Sequence, residues 1–126
     1  MLFCTVVNCM DGRVQLPISR YLKEHFAADY VDTVTEAGPA GLLASDPDSR
    51  ASRSIYSCIE VSVAAHKSTA LAVVAHAGCA GNPISDDSQN QQVLQCVEVL
   101  SARYPALAII GLWVDEKWVV HRLGED

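Results

Sequence analysis

Leu71-Ala72-Val73-Val74-Ala75-His76-Ala77-Gly78-Cys79 is the stretch on which the reading of this chain turns. From Ala70 to Ala75 the residues are continuously apolar and β-branched at the centre. The run is too short for a buried helix and fits a strand covered on both faces, as in a parallel sheet. Directly after it come a histidine and a cysteine in His-x-x-Cys spacing. Gly78 gives the intervening loop the conformational freedom to turn both side chains to one point.

Outward from this strand the same alternation recurs. Leu2 to Val7 is a second continuous apolar run and ends at Asn8 before Cys9-Met10-Asp11-Gly12-Arg13. Pro17 is expected to open a helix through Phe26, because proline is tolerated in a first helical turn. Tyr30 to Thr35 reads as a strand that ends in the turn signal Glu36-Ala37-Gly38-Pro39. Residues 40–52, with small side chains, Asp46, Asp48 and Pro47, read as a loop. Helical spacing returns at Ile55, Ile59 and Val63, with Cys58 and Ser62 beside them. After the loop from His76 to Asp87, a helix is predicted over Ser88 to Tyr104, with Val93, Val97, Leu100 and Tyr104 on one face. Pro105 stops it. Ala108 to Val114 is a fourth strand, and Lys117 to His121 a short hairpin return. Strands alternating with helices give an α/β fold, one domain over 1–126 with a mostly parallel central sheet flanked by helices.

In such sheets ligands bind beyond the carboxyl ends of the strands. Cys9, Glu36, His76 and Cys79 all follow strand ends, so the chemically capable residues gather at one edge. Two thiolates and an imidazole form a donor set that suits Zn²⁺, and three protein ligands leave the fourth tetrahedral position open, as catalytic sites do. From spacing alone, a Cys9–Cys79 disulfide or a metal-free reactive thiol remains open beside metal binding. Asp11 and Arg13 alternate with Cys9, so extended backbone points all three to one side. There Asp11 can accept a hydrogen bond from a metal-bound water while Arg13 keeps it ionised and oriented. Cys9-x₃-Arg13 is too short for the Cys-x₅-Arg loop of a thiol phosphatase, and no phosphate-binding glycine loop is present.

The composition narrows the setting. The chain has 126 residues, half of them hydrophobic and 19% charged, which excludes disorder. Its net charge of -6 argues against nucleic acid or an anionic membrane surface as partner. No apolar run approaches the roughly 20 residues that span a bilayer. Met1 to Val7 lacks a positive flank and a cleavage site, and reads as a strand. Five cysteines, an odd number, in a chain with ample core point to a reducing, cytoplasmic setting.

The pair Cys-x-Asp-x-Arg and His-x-x-Cys, each after a strand, resembles the signature of the β-class carbonic anhydrases. Glu36-Ala37-Gly38 stands where that family has an Asn-Ala-Gly turn. Leu71 to His76 is similar to its strand leading to the zinc histidine, and Ile110-Gly111-Leu112-Trp113-Val114-Asp115 to its late Gly-x-x-x-Asp strand. The resemblance implies one Zn²⁺ per chain held by Cys9, His76 and Cys79, with Asp11 and Arg13 as a catalytic dyad. It implies reversible hydration of carbon dioxide to bicarbonate by zinc-bound hydroxide, the activity of a carbonate dehydratase, a zinc lyase. Subfamilies with the same metal set act on carbonyl sulfide or carbon disulfide, and a non-catalytic zinc protein of regulatory role is the other alternative. A homodimer or an assembly of dimers is expected. Departures lie in Glu36, in Pro39 where the family has glycine, in the loop Ala80-Gly81-Asn82-Pro83, and in the short segment before the first strand, where the family carries a helical arm.

The remaining candidates read as structural. Cys4, Cys58 and Cys96 are expected in the core, and Trp113 and Trp118 in the core or at a subunit contact. His25, His66 and His121 are expected at the surface or at helix ends. Asp86 and Asp87 should cap a helix, Asn82 should shape a turn before Pro83 or hydrogen-bond across its loop, and Glu36 is a solvated strand end or a second acid/base.

Overall fold

The structure, a computed structural model, describes residues 1–124. The strands are β1 (Phe3–Cys9), β2 (Tyr30–Glu36), β3 (Ala70–His76), β4 (Ala108–Val114) and β5 (Val120–Leu123). The helices are α1 (Gln15–Phe26), α2 (Pro39–Ser45), α3 (Arg50–His66) and α4 (Asp86–Arg103), with a 3₁₀ turn at Gly12–Val14. One sheet runs in the order β2-β1-β3-β4-β5. The first three pairings are parallel and β5 returns antiparallel to β4. This is the mostly parallel α/β fold that the sequence pattern implies.

Strand alternation sorts the core into two layers. Val6, Val74 and Leu112 face the side packed by Ile18 and Leu22 of α1. Val7, Leu71 and Val73 face the side packed by Ile55 and Ile59 of α3 and by Val93 and Leu100 of α4. Every residue of β3 is buried, which is why its sequence shows no polar alternation. Register then fixes the functional edge, since Cys9 pairs with Glu36 and His76 with Val114 at the carboxyl ends.

Several boundaries differ from the sequence reading. The segment 40–52 is not a loop: α2 occupies its first half and α3 begins within it. Pro39 takes the first position of α2, where its fixed φ is pre-organised, and Ala40 and Leu43 bury an apolar side that the small-residue composition concealed. Gly41 sits inside this helix because the Asn82 side chain presses on it, 2.8 Å from where a Cβ would stand. Helix α1 starts at Gln15, ahead of Pro17, because the preceding 3₁₀ turn, whose Arg13 N–H donates to the Asp11 carboxylate (2.9 Å), already sets the helical direction. Ser85, not Asp86 or Asp87, caps α4, accepting from the Ser88 N–H at 3.2 Å. The two aspartates lie in the first turn, where the helix dipole favours them.

Cys4 and Cys96 are buried as expected, but Cys58 is exposed on α3. The face of α3 that meets the sheet is carried by Ile55, Tyr56, Ile59 and Ser62. His66 ends α3 with Nδ1 2.6 Å from Asp32 Oδ2. The β4–β5 connection is organised by Asp115, whose Oδ1 accepts from the N–H groups of Lys117 (2.8 Å) and Val119 (3.0 Å). Its Oδ2 stands 2.8 Å from Nε2 of His121, and that bond, with the backbone donors, holds the Asp115 carboxyl below its ordinary range. At the tip, Trp118 adopts a left-handed φ of 64°, a conformation costly for a bulky side chain. Among the described residues, no helix is long and apolar enough to cross a membrane.

Candidate metal centre

Beyond the ends of β1 and β3, Cys9, His76 and Cys79 converge. One donor atom from each lies within 4.8 Å of the others, and all three residues are buried. The loop after His76 turns through Gly78 at φ 65°, and the Ala77 N–H bonds the Val114 carbonyl at 2.9 Å, pinning the loop to β4.

The protonation of His76 follows from its neighbours. Nδ1 lies 2.9 Å from the Ala77 carbonyl oxygen, which can only accept, so Nδ1 carries the proton in that bond. Nε2 is then a bare lone pair, buried and without a hydrogen-bond partner. Such an orphaned nitrogen is costly unless something else binds it. The Cys9 and Cys79 sulfurs are 3.8 Å apart and not bonded to each other. Two thiolates at about 2.3 Å from one tetrahedral ion would stand about 3.8 Å apart. Burial, and then the adjacent Cys9, hold the Cys79 thiol above its ordinary value. A cation is what would offset that cost, since metal binding displaces the proton. Donor chemistry, spacing and the free Nε2 all fit a zinc-type ion.

Asp11 and Arg13 stand beside this cluster. Arg13 donates from Nε to Asp11 Oδ1 (3.0 Å) and from Nη2 to Oδ2 (2.7 Å), a bidentate pair. These hydrogen bonds push the Asp11 carboxyl far below its ordinary range and raise the guanidinium further. Asp11 Oδ2 also lies 4.0 Å from His76 Nε2. Glu36 is not brought into the cluster. It is exposed and lines an adjoining cleft of about 460 Å³ with Asn82 and Gln92.

Other residues that support the site carried no sequence signal. Gln15 Nε2 donates to the carbonyls of Cys9 (2.7 Å) and Asp11 (2.9 Å), tying the Cys-x-Asp-x-Arg segment to the first turn of α1. The wholly buried Gln89 accepts from Trp113 Nε1 (3.1 Å) and donates to the Asn82 carbonyl (3.2 Å). Asn82, expected to shape a turn or to hydrogen-bond across its loop, donates to Gln92 Oε1 at 2.8 Å and wedges between the loop and α2. These contacts use backbone carbonyls and neutral amides, which leave no spacing pattern. A narrow crevice, too tight in this conformation to hold a water, borders the cluster between Pro39, Ala40, Val74 and Ala75.

Solved structures similar to the chain share this arrangement of elements. A carbonic anhydrase from Streptococcus mutans aligns with a TM-score of 0.67 at 16% identity, over 97% of this chain and 81% of that one. Tetrameric β-carbonic anhydrases from Sordaria macrospora align with a TM-score of 0.64 at 13% identity, over 98% and 80%. A β-carbonic anhydrase of Aspergillus fumigatus gives 0.56 at 14%, over 97% and 74%. At these identities the likeness shows the fold. No curated protein matches the chain significantly. A family model described as "Putative carbonic anhydrase" matches residues 1–124. The chain belongs to this carbonic anhydrase family, with the fold of the β class.

Proposed function

We propose that this protein is a zinc-dependent carbonate dehydratase that hydrates carbon dioxide reversibly to bicarbonate. The observation that carries the reading is the buried, unpartnered Nε2 of His76 beside two unbridged thiols. Cys9, His76 and Cys79 would hold the ion. When bound, zinc supplies Lewis acidity that brings the pKa of a water to about 7, so a nucleophile forms at neutral pH.

The chain's own residues do the rest. The Ala77 carbonyl fixes the His76 tautomer and so keeps Nε2 free to ligate. Asp11, ionised by its pair with Arg13, accepts a hydrogen bond from the attacking oxygen and turns its lone pair toward the substrate. Pro39, Ala40, Val74 and Ala75 border the cluster with apolar surface, which suits an uncharged substrate better than a charged one. Bicarbonate, now charged, is poorly held by the same walls and leaves. The five unbridged cysteines support a reducing, cytoplasmic compartment, and the tetrameric relatives support a homo-oligomer.

Stopped-flow hydration of carbon dioxide by protein of measured zinc content tests the reading, with Cys79→Ala as control. Rapid turnover that scales with zinc and vanishes in the control supports it. A tightly held zinc without turnover overturns the carbon dioxide assignment and favours carbonyl sulfide, carbon disulfide or a non-catalytic role.

A further inference from the structure

The Asp11–Arg13 pair is exposed on its cationic side, since the Arg13 side chain keeps 62% of its surface accessible. A solvent-facing ion pair is ordinarily loose. Here the guanidinium has a second contact: its Cζ lies 4.8 Å from the centroid of the Trp118 ring. Trp118 comes from the far end of the chain, at the tip of the β4–β5 connection. The tip is built to present it. Asp115 gathers the N–H groups of Lys117 and Val119 on one carboxylate oxygen, and its backbone carbonyl takes the Trp118 N–H at 3.0 Å. The result is a left-handed φ of 64° at a tryptophan, a conformation that persists only where the surroundings over-determine it, and that gathers at functional sites. With Arg13, Glu116, Ala77 and Gly78, Trp118 lines a cleft of about 240 Å³ beside the loop that carries His76 and Cys79.

The geometry points to Trp118 as a positioning residue: its ring clamps the Arg13 guanidinium so that Arg13 keeps both hydrogen bonds to Asp11. The inference rests on the dehydratase reading for its consequence, but its structural content is independent of substrate. Stacking restricts the guanidinium plane, and the bidentate pair needs that plane coplanar with the carboxylate. A cation–π contact of ordinary exposed strength would change the population of unpaired Arg13 roughly two- to fivefold.

The test reads Arg13 directly. Its Nε–H signal is followed by ¹H–¹⁵N correlation NMR in zinc-loaded wild type, Trp118→Phe, Trp118→Leu and Trp118→Gly, with zinc content and carbon dioxide turnover measured alongside. The leucine keeps apolar bulk without a π face, and the glycine suits the left-handed backbone, so one of them preserves the hairpin. The expected result is faster exchange of Arg13 Nε–H by about two- to fivefold in the Leu and Gly variants and near-complete rescue in Phe, with zinc unchanged. An Arg13 signal identical in wild type, Leu and Gly variants overturns the clamp. Absence of turnover in zinc-loaded wild type counts against the dehydratase reading alone, because the Arg13 signal needs no substrate.

Discussion

Oδ2 of Asp11 stands 4.0 Å from Nε2 of His76 while accepting from Nη2 of Arg13 at 2.7 Å. One oxygen thus borders the donor cluster and is simultaneously held by an arginine. The carboxylate therefore lies next to the donor cluster while both of its oxygens are engaged by Arg13.

Asp11→Asn should keep zinc and fold but lower kcat/KM by about 10²-fold or more, the usual scale for a lost proton-handling group. Arg13→Lys should fall between, because an ammonium cannot make the two-point contact. Steady-state hydration kinetics on zinc-matched samples decide. An unimpaired Asp11→Asn enzyme would remove the aspartate from the mechanism.

Zinc should stabilise the fold, since the three donors are assembled only in the folded chain. At zinc concentrations 100 times Kd the contribution is about 2.7 kcal/mol, or roughly 10 °C in Tm. His76→Ala and Cys79→Ala should lose both the bound metal and the shift. Calorimetry with and without a chelator reads this, and a Tm indifferent to zinc contradicts it.

Stability should fall on the alkaline side. Burial pushes the Cys96 thiol up to about 12 from 9.0, and burial with Glu60 pushes the Tyr104 hydroxyl to about 12 from 10.0. Burial, and then Asp32, pushes Cys4 to about 11. Each raised group keeps its proton in the fold while the unfolded chain releases it. Their contribution is therefore fully present below about pH 9 and lost as pH rises through 11 and 12. Urea midpoints should drop across that window and drop less steeply in Cys96→Ala. A flat profile would show that the two thiols and the phenol titrate alike in both states.

Gly38→Ala should destabilise by about 2–3 kcal/mol. Its φ is +60°, and a Cβ would stand 2.8 Å from the Gly81 backbone and the Asn82 side chain. Because Gly38 also lines the crevice to the cluster, activity should fall with stability. Denaturant titration measures the first effect, and an equal midpoint for both proteins would refute the close packing of the two loops.

Much of this was written locally. A continuous apolar run as short as Ala70 to Ala75 fits a strand buried on both faces, and β3 is one. Cysteine and histidine at strand ends must meet at one edge of a parallel sheet, and Cys9, His76 and Cys79 do. Helix α2 was hidden because its composition is that of a loop, and the contacts that favour it, Gly41 against Asn82 and Leu43 in the core, come from distant segments. Cys58 was misplaced for a related reason: helical spacing gives the period of a face, while the direction of that face is set by which sheet residues it meets.

The sequence by itself determined the order of the strands, the strand-end placement of Cys9, His76 and Cys79, and the Asp11–Arg13 pair. These depend on residue type, on apolar patterning and, for the pair, on a separation of two residues. Tertiary structure alone decided that His76 presents a bare Nε2, that Gln15 and Gln89 brace the site, and that Trp118 lies against Arg13. The Gln89–Trp113 and Arg13–Trp118 contacts join residues far apart along the chain. The bonds of His76 and Gln15, though short in sequence, depend on a loop conformation and a first helical turn that packing of the sheet and its loops sets.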